Sequence, residues 1–290
     1  MKKILITGKN SYLGMHVQKE LSKYNDLYLV EELDMLDNEW EEHDFSKYDV
    51  IYHVAGLAHS APSNSQRELY YQVNSELAYK VGKKAFDEGV SQFIFMSSII
   101  VYGNGTVEGE RIIRKETVIN PDNFYGDSKR QAELKLMSLK RDGFKLVIVR
   151  PPMIYGENSK GNYPLLSKFA RKTLIFPTLK NERSMLYVGN LVEFIRCAID
   201  YEIEGVFFPQ NKEYVSSIDL VKEISKIYNH KVYFIGFFNP LLKIFKNNRL
   251  VNKVFGNLVI DKKLSTYAFD YQKYDFEQSV KLTETLGDTK

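Results

Sequence analysis

The chain has 290 residues, enough for a substantial core in one large or two small domains. Charged residues make up 27% and the formal net charge is +3, too small to mark a nucleic-acid partner. No apolar run is long enough to span a bilayer, and the run after Lys3 opens a strand rather than a signal peptide. The single cysteine, Cys197, reads as a small core residue; it excludes an internal disulfide framework and fits a reducing, cytoplasmic setting.

The first half alternates short apolar runs with helical patterns. Lys3–Thr7, Leu27–Val30, Val50–Val54, Phe93–Met96 and Leu146–Val149 read as strands, and a helix is expected from Leu13, with His16, Val17 and Leu21 at helical spacing. Continuous apolar strands separated by helices indicate a parallel sheet covered on both faces, hence a doubly wound α/β (Rossmann-type) fold over residues 1–150. After Pro151 the pattern loosens. Residues 151–290 read as a smaller α/β region interwoven with the first, with a strand at Val206–Phe208 and a helix after Ser216-Ser217-Ile218-Asp219. Between residues 240 and 257, Lys243, Lys246, Arg249 and Lys253 stand among apolar residues, a basic amphipathic segment that suits a packed helix or, less often, a membrane surface.

Gly8-Lys9-Asn10-Ser11-Tyr12-Leu13-Gly14 lies between the first strand and the first helix, where a dinucleotide pyrophosphate needs backbone N–H groups and a positive helix terminus. Gly8 permits the tight turn, Gly14 lets the helix pack on the strand, and Ser11 takes the place of the usual middle glycine. Glu31, at the end of the second strand, is placed to accept from adenosine ribose hydroxyls. No arginine nearby could hold a 2′-phosphate, which favours NAD over NADP. Asp44 and Phe45 are placed to frame the adenine, and Ala55-Gly56-Leu57 are small or apolar residues where a cofactor would cross the sheet. His53 and His59 have no carboxylate or cysteine cluster at ligand spacing, so no metal site is expected.

Tyr125-Gly126-Asp127-Ser128-Lys129 puts Tyr and Lys on one helix face. An unperturbed tyrosine titrates near about 10 and is a poor acid or base at neutral pH, so a lysine ammonium one turn away is expected to lower that value. Ser98, at the end of the fourth strand, is the hydroxyl to orient the same substrate oxygen.

At these residues the chain resembles the extended short-chain dehydrogenase/reductase family, in its nucleotide-sugar epimerase, dehydratase and reductase branch. The motifs are Thr7-Gly8-x-x-Ser11-x-x-Gly14, His53-Val54-Ala55-Gly56, Asn74, Ser97-Ser98-x-x-Val101-Tyr102-Gly103, Tyr125-x-x-x-Lys129 and Val149-Arg150-Pro151-Pro152 running to Tyr155-Gly156. The resemblance implies Ser98, Tyr125 and Lys129 as the catalytic set. It implies a dinucleotide held by Gly8, Asn10, Ser11, Tyr12, Leu13, Gly14, Glu31, Asp44, Phe45, Ala55, Gly56, Leu57, Asn74, Tyr125, Lys129 and Pro151. Asn74 would steady the strand that bears the serine. A UDP-sugar would be met by Ser98, Ile99, Met153, Phe176 and Arg183, with the arginine clamping the diphosphate and Phe176 covering the base. The resemblance also implies a homodimer.

The family's 4,6-dehydratases carry an Asp-Glu pair directly after the strand-end hydroxyl. Ile99 and Ile100 stand there instead, and an aliphatic pair does no proton transfer, so dehydration is excluded. Reduction of a UDP-4-keto-6-deoxy-N-acetylhexosamine for surface polysaccharide is the first expectation, with 4-epimerisation of a UDP-sugar second and a non-catalytic dinucleotide sensor third.

Overall fold

The computed structural model describes residues 1–58, 64–139, 141–245 and 248–287. In chain order the first elements are β1 (Lys2–Thr7), α1 (Tyr12–Leu21), β2 (Tyr28–Leu33), β3 (Val50–His53), α2 (Arg67–Tyr71), α3 (Ala78–Asp87) and β4 (Gln92–Met96). They are followed by β5 (Ile112–Ile113), α4 (Phe124–Met137), β6 (Lys145–Val149), β7 (Met153–Tyr155), α5 (Asn162–Ala170), β8 (Ile175–Pro177) and β9 (Met185–Tyr187). The remainder comprises α6 (Val188–Asp200), β10 (Gly205–Phe207), α7 (Ser217–Ile227), β11 (Tyr233–Ile235), α8 (Asn239–Ile244), α9 (Arg249–Phe255), β12 (Val259–Ile260) and α10 (Phe276–Gly287).

The chain forms two compact units that exchange segments. The first holds residues 1–103, 119–151 and 191–209; the second holds 104–118, 152–190 and 210–290. In the first, six strands form one parallel sheet in the order β10-β6-β4-β3-β1-β2. The order reverses direction between β1 and β3, so the crevice at their carboxyl ends is the natural ligand position of such a sheet. Every residue of β3 and β4 is buried, which explains why these strands read as unbroken apolar runs rather than alternating ones. On one face α3 and α4 cover the sheet through Val81, Ala85, Ala132 and Leu136, packed with Leu5, Ile51, Phe93 and Phe95.

A π-helical turn over Gln72–Leu77 interrupts the helical run from α2 into α3. Such a turn inserts an extra residue and re-aims the side chains within it. Asn74, fully buried, lies in this turn.

Beneath the sheet end lies a buried polar cluster. Arg150 forks onto Glu133, Nε to Oε1 at 2.9 Å and Nη2 to Oε2 at 2.6 Å, while its Nη1 donates to the Tyr102 hydroxyl at 2.7 Å. Ser97 Oγ donates to the same Glu133 Oε1 at 2.5 Å. A bidentate guanidinium–carboxylate pair is the geometry in which a buried ion pair is best satisfied.

Among the described residues, the second unit contains three two-stranded parallel pairs, β7 with β9, β8 with β11, and β5 with β12. Ser216 caps α7 in a reciprocal box with Asp219. Buried Glu284 of α10 accepts from Tyr163 at 2.7 Å, Ser167 at 2.8 Å and Arg171 at 2.7 Å. The basic stretch 240–257 forms two short helices, α8 and α9, rather than one packed helix; Lys246 lies outside the described residues.

Removing one partner of a buried charge pair strands the other. Glu133→Ala is expected to lower the unfolding free energy by about 3–5 kcal/mol, against about 1 kcal/mol or less for Lys135→Ala at its exposed pair with Glu76. Equilibrium urea unfolding of the two variants measures the difference.

Candidate active site

The loop after β1 is shaped by two residues with positive φ. Gly8 has φ +121°, and a Cβ placed there would come within 2.8 Å of the Ala55 nitrogen. Asn10 follows at φ 59°. Ser11 needs no such freedom: at φ −69° and ψ 145° it is the N-cap of α1 and accepts from the Gly14 N–H at 3.2 Å. The missing middle glycine is therefore replaced by a capping residue whose hydroxyl proton is still available. The Gly8 and Lys9 N–H groups donate to Leu33 at 3.0 and 3.1 Å, which closes the loop against β2. Together with the leading N–H groups of α1, this cradle fits a pyrophosphate.

Glu31 sits within β2 rather than at its end, since the strand runs on to Leu33. Its Oε2 accepts from the Tyr48 hydroxyl at 2.6 Å. Glu32 keeps a buried carboxylate oxygen that has no protein partner among the described residues. Sequence reasoning named Glu31 and not this neighbour. Phe45 does not frame a ligand. Its ring is fully buried in the core and its N–H donates to Glu88 at 2.5 Å. Asp44 is exposed and turns onto its own chain, accepting from the Ser46 N–H at 3.0 Å and the Ser46 hydroxyl at 2.6 Å.

Beyond β3 the chain is held from the π turn. Asn74 accepts from the Leu57 N–H at 2.8 Å and donates through Nδ2 to the Leu57 carbonyl and to Ser128 Oγ, each at 3.1 Å. It thus ties the 55–57 loop to α4, rather than steadying β4 as the family resemblance had implied. A Cβ on Gly56 would lie 3.0 Å from Asn74 Oδ1 and 3.2 Å from Lys129 Nζ, so Gly56 leaves the lysine its room. Thr7 Oγ1 lies 2.8 Å from His53 Nδ1, while His53 Nε2 is buried with no partner among the described residues. Burial, with the nearby Lys129 charge adding to it, pushes the His53 imidazole down to about 3. His59 lies outside the described residues. Among the described residues no group of three or more His, Cys, Asp or Glu could hold a metal.

Ser98, Tyr125 and Lys129 come together at the end of β4. Ser98, extended at φ −162° and ψ 152°, accepts from the Ile100 N–H at 3.3 Å and hydrogen-bonds Tyr125. Asn123 caps α4 through the Gly126 N–H at 2.9 Å, which starts the helix one residue ahead of Tyr125 and sets its first turn. The Tyr70 ring meets the Tyr125 ring edge-on at 6.2 Å. Lys129 Nζ donates to the Met96 carbonyl at 2.9 Å and lies over the Phe95 ring at 4.8 Å. Burial pushes Lys129 down to about 8, with Glu133 one turn on pulling it back up. Burial pushes Tyr125 up to about 12, opposed by the Ser98 hydrogen bond. The expected lowering of Tyr125 by Lys129 is not seen: Ser98, not the lysine, is the group that opposes burial, and Lys129 spends a donor on the Met96 carbonyl. Ile99 is buried and its N–H donates to the Pro151 carbonyl at 3.1 Å, so both are part of the floor behind Ser98. Glu133 and Arg150 were missed as contributors; the spacing Tyr125, Lys129, Glu133 on one helix face was the available signal.

In the second unit Met153 is half-buried on β7, opposite Met185 of β9. Phe176 is 1% exposed and packs against Phe169, Phe234 and Phe255, which makes it a core residue rather than a base cover. Arg183 is also occupied. Its Nε, Nη1 and Nη2 donate to the carbonyls of Gly256, Lys253 and Asn252 at 3.0, 2.5 and 3.3 Å. These carbonyls close the C-terminal end of α9, so the guanidinium satisfies helix-end acceptors where a diphosphate clamp was expected.

Residues 4–207 match the model of the NAD dependent epimerase/dehydratase family. The chain belongs to that family, and NAD is its cofactor. It is 28% identical over 288 residues to a UDP-glucose 4-epimerase of Vibrio cholerae, covering 90% of this chain and 87% of that protein. It is 34% identical over 175 residues to an N-acetyl-α-D-glucosaminyl-diphospho-ditrans,octacis-undecaprenol 4-epimerase of Escherichia coli O157:H7, covering 58% of this chain and 52% of that one. The fold matches the NAD complex of a Thermus thermophilus UDP-glucose 4-epimerase with a TM-score of 0.75 at 19% identity, over 98% of each chain. Among the described residues, no helix is long and apolar enough to cross a membrane.

Gly8→Ala forces a Cβ into the Ala55 backbone at a strained φ, so NAD affinity measured by calorimetry is expected to fall at least about tenfold. His53 gives a pH dependence. Its folded pKa lies below the ordinary value, so unfolding takes up a proton between about pH 6.5 and 3, and stability falls as pH drops through that window. Urea midpoints at pH 7 and 4.5 are expected to converge in His53→Asn relative to the unmodified chain.

Proposed function

We propose that this protein is a 4-epimerase acting on a hexose or N-acetylhexosamine carried on a diphosphate. The observation that carries the reading is the Ser98–Tyr125–Lys129 constellation followed by the aliphatic Ile99 and Ile100. It supplies acid–base chemistry at one sugar oxygen and none at a second carbon. The two relatives named as 4-epimerases support placing that oxygen at C4, and they move epimerisation ahead of the reduction favoured by sequence reasoning. NAD, held at the Gly8–Gly14 loop, would supply the hydride acceptor for C4 and then the hydride donor to the opposite face of the 4-keto sugar. Tyr125 accepts the C4 hydroxyl proton and gives it back to the keto oxygen. Ser98 shares that oxygen and keeps the phenol aligned. Lys129, poised near 8, supplies the positive charge that offsets the burial of a developing phenolate.

Reduction of a 4-keto sugar is the second reading, favoured by Met153 in the position where UDP-galactose epimerases of this family carry an asparagine. It also has a reductase relative, the dTDP-4-dehydro-6-deoxyglucose reductase of Escherichia coli, at 24% identity.

The test is incubation with UDP-glucose or UDP-N-acetylglucosamine, followed by proton NMR of the anomeric region. Appearance of the C4 epimer without accumulation of NADH is expected. No epimer, together with stoichiometric NADH or NADPH consumption on a UDP-4-keto-6-deoxy sugar, would transfer the protein to the reductases. Tyr125→Phe is expected to lower kcat by about 10²–10⁴-fold.

A further inference from the structure

The second unit carries a face that the proposed reaction does not use. β8 and β11 pair in parallel with Ile175 opposite Tyr233. One side of this ribbon is core, where Phe176 and Phe234 meet ring to ring at 6.2 Å. Ile175 and Tyr233 are exposed. The chain then runs from β11 through a short turn into α8, leaving Phe237 83% and Ile244 75% exposed, with Phe245 also exposed just beyond. This turn is tied to the end of β8, because Asn239 Nδ2 donates to Thr178 Oγ1 at 3.1 Å. The exposed apolar side chains therefore extend from the paired strands along a single anchored segment.

Charge singles out the same two stretches. Residues 158–181, around β8, contain Lys160, Lys168, Arg171, Lys172 and Lys180 and no Asp or Glu. Residues 231–260, around β11, contain Lys231, Lys243, Lys246, Arg249 and Lys253 and again no acid. The whole chain is nearly balanced, with 40 basic and 37 acidic residues, so two paired segments with only cations are a marked asymmetry. Lys160, Lys168, Lys172, Lys180 and Lys231 are exposed. Arg171 is spent on Glu284 and contributes no free charge. Exposed aromatic and aliphatic residues among lysines are the composition that inserts at a headgroup boundary and is drawn there by anionic lipid.

We infer that the β8–β11 face, with the turn and helix that follow it, docks on an anionic lipid bilayer. The apolar residues enter the headgroup layer and the lysines meet the lipid phosphates. A balanced protein surface or a neutral bilayer offers no partner for the second of these contacts.

The experiment is flotation of the purified full chain with vesicles of phosphatidylglycerol or of phosphatidylcholine. Binding to phosphatidylglycerol is expected to exceed binding to phosphatidylcholine at least about tenfold and to weaken in 0.5 M salt. Phe237→Ser with Ile244→Ser is expected to reduce it at least tenfold. So is Lys168→Glu with Lys172→Glu. All four positions are exposed, so NAD binding by each variant reports that the fold is intact. Equal binding to both lipids, no binding to either, or unchanged binding of both variants would overturn the inference. So would a concentration-dependent dimer in gel filtration that the same substitutions abolish, since the face would then belong to a second copy of the chain.

Discussion

Lys129 carries its ammonium into the middle of the first unit, where water is scarce, and donates to the Met96 carbonyl at the carboxyl end of β4. Burying a cation is costly unless its surroundings meet it, and several elements around it do so. The Phe95 ring lies beneath it, Gly56 leaves it space, and Glu133 stands one turn further along α4. The His53 imidazole beside it stays neutral and so adds no second charge to the pocket. Displacing any of these alters the position of the lysine, and with it the register of Tyr125 against Ser98.

The same carboxylate explains why the arrangement is rigid. Glu133 accepts from Ser97 and is gripped by both arms of Arg150, whose third nitrogen reaches Tyr102. Ser97 precedes Ser98, and Tyr102 ends the short turn that follows it. A single buried ion pair thus fixes helix α4, the end of β4 and the turn beyond it at once. Buried networks of this kind bring specificity of geometry more than net stability. Here the geometry concerned is the separation of a serine hydroxyl, a phenol and an ammonium. The π turn works in parallel from the opposite side, because Asn74 links the 55–57 loop to Ser128 on α4.

The sheet and the meeting of Ser98, Tyr125 and Lys129 were legible in the sequence because each rests on a short-range pattern. Strands buried on both faces are continuous apolar runs, and Tyr125 and Lys129 share a helix face by spacing alone. Residues whose roles depend on distant partners were not legible. Phe45 and Phe176 look like ligand-facing aromatics in a linear reading, yet each is core once the packing around it is known. Arg183 has the right chemistry for a diphosphate, but the carbonyls it meets lie about seventy positions away in sequence. Ser11 looked like a defect in a glycine motif, whereas the residue that needs positive φ is Asn10 and the serine is a helix cap. That Glu31 is engaged by the Tyr48 hydroxyl is likewise something no local pattern announces.

The desolvated lysine is the point on which site geometry and chemistry meet, and its titration tests the account most directly. Carbon-13 NMR of lysine-labelled protein, stripped of dinucleotide, follows each ammonium with pH, and Lys129→Met identifies the resonance. One lysine titrating at about 8 and lost in that variant is the expected result. A Lys129 that titrates near the ordinary value of about 10.4 would show a hydrated side chain and contradict the account.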